Sequence, residues 1–302
     1  MEAKKLMLSI VILSWNTKAL LKQCLKSLEE GCGGVKGCEV IVVDNGSTDG
    51  SVEYFRSITG IKSIKGITSM KLVENQSNLG FAKGNNIGIK EARGEYIMLL
   101  NSDTIVQKGS LKKMVDFLDQ HGEISVVGPK LLNQDGTPQS SCGQFPNLWV
   151  VFIMLFKEHF GGSRTVRYSP AVSGEVDWLM GAAFVAREKV FKKVGFLDER
   201  MFMYMEEVEW FYRVRKAGLK AYFLKEAEIV HLGRGSSSSG KKEPILNIYK
   251  GLLHFYKVHK SPLELFILRL MLKVKALISL LIGDLKNDNY LKQTYGQAIK
   301  IN

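Results

Sequence analysis

Residues 96–103 read Tyr-Ile-Met-Leu-Leu-Asn-Ser-Asp and constrain the fold of this 302-residue chain more than any other segment. Five apolar residues end abruptly in Asn101 and Asp103, which is typical of a buried strand with polar side chains at its tip. Ligands of open α/β sheets bind just outside the carboxyl ends of the strands. The segment therefore predicts a strand of a buried sheet and a ligand site at its end.

Strand-like and helical segments alternate through the first half of the chain. The strand-like segments are residues 8–13, 39–43, 70–74, 96–100 and 124–127, and the helical segments are residues 20–28, 81–92 and 111–118. This alternation predicts an α/β fold with a mostly parallel central sheet flanked by helices.

The second half of the chain has a different character. Residues 145–160 are apolar and aromatic without a clear period, and residues 176–186 are predicted as a strand interrupted by Gly181. A helix is predicted over residues 206–217, closed by Gly218, and short strands over 219–224 and 228–231. Residues 233–240, with four consecutive serines, are predicted as a flexible loop or linker.

The basic charge of the chain is concentrated at its end. The net charge is +12, and residues 240–302 hold eleven Lys or Arg against four Asp or Glu. A nucleic-acid-binding protein would spread such charge over a groove with interleaved aromatic residues. Here the charge accompanies an apolar tail, so we expect no nucleic-acid partner, although a basic nucleic-acid-binding protein is the non-enzymatic alternative.

The tail at residues 241–302 is predicted to be a basic, amphipathic helical extension. Residues 263–282 are mainly apolar but carry Glu264, Arg269, Lys273 and Lys275, which disfavour a spanning helix. A helix lying on an anionic membrane surface fits this pattern better. The alternatives are packing on the domain or on a second copy of the chain in a homodimer.

The start of the chain bears on localisation. No charged segment precedes a long apolar stretch, and residues 8–13 are too short for the core of a signal peptide. We therefore expect a cytoplasmic protein, held peripherally on the inner face of the cell membrane by its tail.

Asp44 directly follows the second predicted strand and begins the turn-rich run Asp-Asn-Gly-Ser-Thr-Asp-Gly. A carboxylate here can accept the N–H of a pyrimidine ring, with Asn45 and Ser47 nearby as further polar groups. The alternative is an Asx turn that caps the next helix. After the first strand neither a Gly-x-Gly-x-x-Gly nor a P-loop motif occurs, which argues against a dinucleotide-binding enzyme and a P-loop NTPase.

Three further positions carry candidate chemistry. Asp103 offers oxygen to a divalent cation, or alternatively caps a turn. His231 ends a short strand before a loop, although a lone histidine is more often structural. Glu206 and Glu207 begin a helix, which suits its dipole, and the Met-rich segment before them favours the raised pKa of a general base.

Glu209 belongs to the same acidic run. It stands four residues before Arg213, so the two side chains are predicted to pair along the helix.

The order and spacing of these motifs resemble the family 2 glycosyltransferases with the GT-A fold, especially the bacterial rhamnosyltransferase-like branch. The matching residues are 10–16, 42–50, 78–82 with Asn85 and Asn86, 99–103, 195–199, 206–209 and His231. The resemblance covers roughly residues 6–236. It implies a Rossmann-like nucleotide-sugar half over residues 6–130 and an acceptor half over residues 131–236.

The resemblance also implies roles for individual residues. Asp103 and His231 would hold magnesium or manganese on the donor diphosphate. Glu207 falls where the family places its catalytic base, usually the Asp of a Glu-Asp pair; because the pair here is Glu206-Glu207, either could be the base, and we favour Glu207. Residues implied in donor binding are Ser14, Asn16, Asp44, Asn45, Ser47, Asn78, Gly80, Asn85, Asn101 and Ser102, and those near the acceptor are Trp178, Met180 and Gly181.

The activity implied is that of a metal-dependent inverting glycosyltransferase of the hexosyl- or rhamnosyltransferase type. The donor would be a nucleoside-diphosphate sugar, and the acceptor a glycan or a polyprenyl-diphosphate-linked saccharide in cell-surface glycan synthesis. Asn101 stands where the family's metal motif begins with Asp, so metal binding without nucleotide is expected to be weak. A nucleotidyltransferase acting on sugar phosphates is the enzymatic alternative, and a catalytically inactive sugar-nucleotide binder is a further one.

Overall fold

A computed structural model describes residues 7–59, 66–157, 166–233 and 242–301. The predicted serine-rich loop lies outside the described residues except for Gly233. The same holds for the last three residues of the apolar segment 145–160.

Within the described residues, nine strands form one large sheet and three short strands a second one. The strands are β1 Leu8–Ser14, β2 Cys38–Asp44, β3 Ile67–Glu74, β4 Tyr96–Asn101, β5 Thr104–Val106, β6 Ile124–Leu132, β7 Cys142–Gly143, β8 Arg167–Tyr168, β9 Gly174–Val176, β10 Trp178–Leu179, β11 Ala183–Arg187 and β12 Lys220–His231. The large sheet has the order β3-β2-β1-β4-β11-β6-β12-β5, and β9 also pairs with β12.

The strand directions confirm the predicted mostly parallel sheet. The strands β3, β2, β1 and β4 are parallel neighbours, and β12 runs parallel to β6. The exceptions are β11, antiparallel to both β4 and β6, and the short strands β5 and β9, antiparallel to β12.

Helices cover both faces of the large sheet and form a separate group at the end of the chain. The helices are α1 Lys18–Gly31, α2 Ser51–Thr59, α3 Phe81–Glu91, α4 Ser110–Gln120, α5 Leu148–Phe156, α6 Glu188–Val194, α7 Glu206–Lys216, α8 Lys242–His259, α9 Pro262–Leu285 and α10 Asn289–Ala298. Alternate strand residues enter different cores, because successive side chains point to opposite faces. Ile10 packs with α1, whereas its neighbour Val11 packs in the core that contains α3 and α7.

Two predicted elements differ from the structure, and one segment without a predicted element contains a helix. The strand predicted over 176–186 is three short strands, because β10 leaves the large sheet to pair with β7. The two strands predicted over 219–224 and 228–231 are the single strand β12, with a register shift between Leu224 and Glu228. The apolar segment without a clear period contains the helix α5.

The tail folds into α8, α9 and α10, which share a core with α5. His254 and His259 of α8 lie 2.8 Å from Asp198 and 2.9 Å from Glu209, so polar contacts also join the tail to the domain. One side of the tail therefore packs on the domain, as the alternative interpretation expects. In the described part of the chain, no helix is both long and apolar enough to cross a membrane.

Candidate active site

The carboxyl ends of β1, β2 and β4 form one edge of the sheet. The parallel register places Ser14 opposite Asp44 and Leu13 opposite Asn101. Thr17 Oγ1 lies 3.0 Å from the hydroxyl oxygens of both Ser14 and Ser102, so a chain of hydroxyl groups joins the tips of β1 and β4. The edge predicted as a ligand site is thus lined with polar groups.

Asp44 has one carboxylate oxygen engaged and one without a partner. The Ser47 N–H donates to Oδ2 at 2.8 Å, which fixes the turn after β2. Oδ1 is buried and has no hydrogen-bond partner among the described residues. Burying such an acceptor is costly unless a donor reaches it. The arrangement suits a ligand that brings its own N–H to this carboxylate.

The asparagines beside Asp44 use their side chains to hold loops together. Asn45 Nδ2 donates to Asn78 Oδ1 at 3.2 Å and to the Gly80 carbonyl at 3.1 Å. Gly80 has a φ of +83°, and a β-carbon there would lie 2.4 Å from the Phe202 carbonyl oxygen, so only glycine fits. The hydrogen bonds of Asn45 thus hold the backbone of the loop at residues 78–80 against the end of β2.

Asn16 and Asn85 also make local contacts. Asn16 Oδ1 accepts from the Thr48 N–H at 2.8 Å, which links the loop after β1 to the loop after β2. Asn85 is buried within α3, where Nδ2 donates to the Phe81 carbonyl. Neither residue lines the cavity that contains Asp103 and Glu207.

Asp103 and His231 meet because β5 pairs with the end of β12. The register sets His231 opposite Thr104, and the Leu232 N–H donates to the Asp103 carbonyl at 2.9 Å. His231 Nε2 then lies 3.4 Å from Asp103 Oδ1, with both side chains largely buried. The structure thus brings the two predicted metal ligands together.

Gln139 fixes the orientation of the His231 ring. His231 Nδ1 lies 2.7 Å from Gln139 Oε1, and Gln139 Nε2 donates to Asn133 Oδ1 at 2.9 Å. This contact with the amide oxygen turns the Nε2 edge of the ring towards Asp103. A second polar group that orients a histidine in this way is common beside bound metal ions.

A carboxylate and an imidazole nitrogen 3.4 Å apart are two side chains that a divalent cation can take as ligands. The described residues contain no group of three or more His, Cys, Asp or Glu side chains that could hold a metal. Asp103 and His231 are therefore a partial ligand set, and a hard divalent cation would need further oxygen ligands from a substrate or water.

Glu206 and Glu207 begin α7 directly after two residues with left-handed backbone, Tyr204 at a φ of +68° and Met205 at +76°. Positive φ is strained for such side chains and persists where the surrounding packing enforces it. The turn directs both carboxyl groups inward. In each one the Oε2 atom is buried and has no hydrogen-bond partner among the residues that the structure describes.

Burial shifts the protonation of this pair. Desolvation, followed by the charge of Glu207, holds the pKa of Glu206 well above its ordinary value of 4.5. Desolvation also raises the pKa of Glu207, which the Arg167 guanidinium opposes. Both carboxyl groups therefore keep their protons to a higher pH than an ordinary glutamate does, and their role as a general base stays a prediction.

Glu209, the third acid of the helix, has a structural role. Its carboxylate accepts from Arg213 Nε at 2.8 Å and lies 2.9 Å from His259 Nε2. The predicted pairing of Glu209 with Arg213 is confirmed.

One cavity of about 530 Å³ joins several predicted site residues. Those that line it are Asn101, Asp103, Trp178, Met180, Gly181, Glu206, Glu207 and His231. The other predicted donor-binding residues, from Ser14 to Asn85 and including Ser102, do not line this cavity and occupy the strand tips and loops around it. The candidate metal pair, the acid pair and the predicted acceptor residues thus share one space.

Three residues important to this arrangement have no role assigned from the sequence, and two of them lie outside the motifs. Gln139 lies in a loop with no recognisable pattern, and Arg167 lies in a two-residue strand, so only the folded chain shows what they contact. Asn86 belongs to a matching motif without an assigned role. Its side chain hydrogen-bonds the backbone N–H and carbonyl of Leu197, and so ties α3 to the segment preceding the acid pair.

Known proteins share both the sequence pattern and the fold. A hexosyltransferase of low-salt glycan biosynthesis from Haloferax volcanii is 25% identical over 74% of this chain and 66% of its own length. An N-acetylglucosaminyl-diphospho-decaprenol L-rhamnosyltransferase from Mycobacterium tuberculosis is 26% identical over 74% of this chain and 75% of its own. The match thus leaves a quarter to a third of each relative uncovered.

Solved structures with the same fold are more distant in sequence. TarS from S. aureus superposes with a TM-score of 0.55 at 17% identity, over 89% of this chain and 70% of that one. A mannosyltransferase from Pyrobaculum calidifontis, solved with GDP-mannose and Mn²⁺, gives a TM-score of 0.56 at 15% identity, over 98% and 72%. These likenesses confirm the GT-A fold.

The sequence profile of the family described as glycosyl transferase family 2 matches residues 9–210, which is most of the described domain. The match includes β1, Asp44, Asp103 and the acid pair, whose arrangement is given above. The chain therefore belongs to glycosyl transferase family 2.

Proposed function

We propose that this protein is an inverting glycosyltransferase that moves a sugar from a nucleoside-diphosphate sugar to an acceptor hydroxyl in cell-surface glycan synthesis. The observation that carries the proposal is the single cavity containing Asp103, His231, Glu206 and Glu207. A transfer needs a place for the departing diphosphate and a base for the incoming hydroxyl. The pair Asp103 and His231 supplies the first, and the pair Glu206 and Glu207 at the start of α7 supplies the second.

Donor binding takes place at the strand tips. Asp44 Oδ1, buried and without a partner among the described residues, accepts the N–H of the nucleobase. The backbone of the loops after β1 and β2 surrounds the nucleoside. Asp103 and His231 are the residues that would hold magnesium or manganese, and such a cation would supply positive charge to offset the charge that grows on the leaving group.

Glu207 removes the proton from the acceptor hydroxyl as that oxygen attacks the anomeric carbon. Attack on the face opposite the diphosphate inverts the configuration in one displacement. Glu207 is favoured over Glu206 because it lies beside Gly181, where a β-carbon would be 3.7 Å from its carboxyl carbon, and near Arg167. Glycine leaves space for an acceptor next to the carboxylate.

Trp178, Met180 and Gly181 form the acceptor side of the cavity. Trp178 is buried, and its Nε1 donates to the Gln144 carbonyl at 2.9 Å, which fixes the ring in place. The M. tuberculosis relative is named for a diphospho-decaprenol acceptor, and this similarity supports a lipid-linked or polymeric glycan acceptor here.

The exposed side of α9 supports a peripheral membrane location. Its exposed apolar side chains recur every three or four residues, and they include Leu263, Phe266, Leu270, Leu277, Leu281 and Leu285. Arg269 and Lys273 are exposed on the same helix, and Trp149 of the adjacent α5 is 61% exposed. Apolar, aromatic and basic side chains combined in this way suit the headgroup region of the cytoplasmic leaflet.

Replacement of the two acids tests the catalytic assignment. Glu207→Gln is expected to reduce turnover by about 10²–10⁴ with nucleotide-sugar binding retained, because the base is lost while the shape is kept. Turnover is measured as nucleoside diphosphate released in the presence of acceptor. The matched control is Glu206→Gln, which should keep most of the activity; a reversed order of the two variants would assign the base to Glu206.

The pH dependence of the wild-type enzyme follows from the same pair. Glu207 must be ionised to act as base, and burial raises its pKa, so kcat should rise with pH along an acidic limb centred above 4.5. A profile of kcat between pH 4 and 8 measures this limb. A flat profile down to the ordinary glutamate pKa would argue against a buried catalytic carboxylate.

Metal-dependent nucleotide binding tests the Asp103–His231 pair. In the presence of Mn²⁺, a matching nucleoside diphosphate at about 100 times its dissociation constant should stabilise the wild type by roughly 2.7 kcal/mol. Asp103→Asn should lose most of that gain, whereas Asp135→Asn, in an exposed turn, should retain it. The measurement is thermal unfolding with uridine, guanosine and thymidine diphosphates. Equal stabilisation of Asp103→Asn by nucleotide and Mn²⁺ would contradict the assignment.

Co-sedimentation with vesicles tests the exposed face of α9. Phe266→Asp and Leu277→Asp should each weaken binding to phosphatidylglycerol vesicles on the order of 10-fold, because a buried Phe or Leu side chain is worth about 1.5–3 kcal/mol. Val172→Asp changes an equally exposed apolar residue on another surface and should have no effect. Two results would rule out the exposed side of α9 as the membrane contact. One is that the wild type does not bind vesicles; the other is that its binding changes neither with salt nor in the two α9 variants.

A further inference from the structure

The cavity that holds the acid pair continues into the helices of the tail. Beyond Trp178 and Met180 its wall passes to α5 and α8, with Val151, Leu155, Ile245, Ile248 and Leu252 among the lining residues. The site is therefore polar at Asp103 and Glu207 and apolar at its other end. A soluble sugar acceptor gains nothing from such an apolar wall, whereas an amphiphile does.

Lys275 of α9 lines the same apolar part of the cavity. Its Nζ lies 5.9 Å from the centroid of the Phe156 ring, and among the side chains that the structure describes no carboxylate lies at ion-pair distance from it. Burial lowers the pKa of this lysine, with no opposing charge to offset the shift. A half-buried cation without an anion is unfavourable in the empty protein and becomes favourable when a ligand supplies the anion.

Tyr249 of α8 adds a second unsatisfied group to this wall. The side chain is buried, with 3% of the residue exposed, and its hydroxyl has no hydrogen-bond partner among the described residues. A buried hydroxyl without a partner costs free energy unless a ligand accepts from it. Lys275 and Tyr249 thus offer two donors in an otherwise apolar space.

We propose that the space between α5 and the tail helices binds the isoprenoid phosphate end of a lipid-linked acceptor. Lys275 and Tyr249 donate to phosphate oxygens, the apolar side chains of α5 and α8 receive the first isoprene units, and the saccharide extends towards Glu207. The inference rests on the proposed function in one respect, that the acid end of the cavity receives the acceptor hydroxyl. It narrows the acceptor from glycans in general to diphosphate-linked lipids.

The orientation of the tail agrees with this occupant. The inner side of α9 carries Lys275 into the cavity, and its outer side carries the exposed apolar residues described above. A lipid whose chain leaves the cavity between these helices would pass directly into the membrane on which α9 rests. One helix would then hold the enzyme at the bilayer and recognise the phosphate of the substrate.

The test uses the full-length protein and farnesyl diphosphate, measured by isothermal titration without nucleotide. Farnesyl diphosphate should bind, and farnesol and inorganic pyrophosphate should each bind much more weakly. Lys275→Met keeps the apolar stem and removes the charge, and it should weaken farnesyl diphosphate binding roughly 10- to 100-fold. Lys257→Met is the matched control, an exposed lysine of α8 that does not line the cavity, and it should leave binding unchanged.

A second variant tests the apolar wall. Ile248→Trp places a large ring in the cavity and should abolish farnesyl diphosphate binding while nucleotide with Mn²⁺ still stabilises the protein. Equal binding to wild type and Lys275→Met would overturn the proposal, as would pyrophosphate binding as tightly as farnesyl diphosphate. Loss of nucleotide-sugar turnover in the wild type would instead refute the proposed function, because farnesyl diphosphate binding is measured without donor.

Discussion

The pairing of β5 with the last residues of β12 is the interaction on which the candidate site depends. It spans three residue pairs and brings His231 next to Asp103, although the two are far apart in sequence. The same pairing makes β5 the last strand of the large sheet, next to β12. Without these backbone hydrogen bonds, Asp103 would be a lone carboxylate at a strand tip.

Charge within the site is kept unbalanced in two places. Glu206 and Glu207 are buried side by side with raised pKa values, and Lys275 is half-buried with no carboxylate partner among the side chains that the structure describes. Each arrangement costs stability in the ligand-free protein, since buried polar groups and charges need partners. The proposed substrates supply what is lacking, a hydroxyl proton for one and phosphate oxygens for the other. Buried charged or polar groups without partners lower the stability of a protein, so they are found mainly where a ligand or a reaction needs them.

Much of this could be predicted from sequence because the relevant signals are local. The apolar run before Asn101 and the turn cluster after Asp44 identify strand tips, and helix dipole and spacing identify the acid pair and the contact between Glu209 and Arg213. The fold class and family followed from the order of these motifs. The donor-binding roles assigned to the strand-tip residues stay predictions, with Asn45 and Asn78 seen to hydrogen-bond one another.

What could not be predicted depends on contacts between distant segments. Gln139, which orients the His231 ring, lies in a loop that contains no recognisable motif. The strand β10 pairs with β7 in the small sheet, and no local pattern indicates this partner. The tail pattern indicated an amphipathic helix but not that its other face would pack on α5 and place Lys275 in the cavity. Sequence periodicity identifies an apolar face without naming the surface that covers it.

The most direct measurement of the central claim is the identity of the product formed from a nucleotide sugar. The wild-type protein, incubated with Mn²⁺, a donor that stabilises it and membrane extract as acceptor source, should release nucleoside diphosphate and transfer the labelled sugar to the lipid fraction. Release of inorganic pyrophosphate from a nucleoside triphosphate and a sugar phosphate would instead identify a nucleotidyltransferase. Binding of donor without any product would contradict the account of Glu207 as a catalytic base.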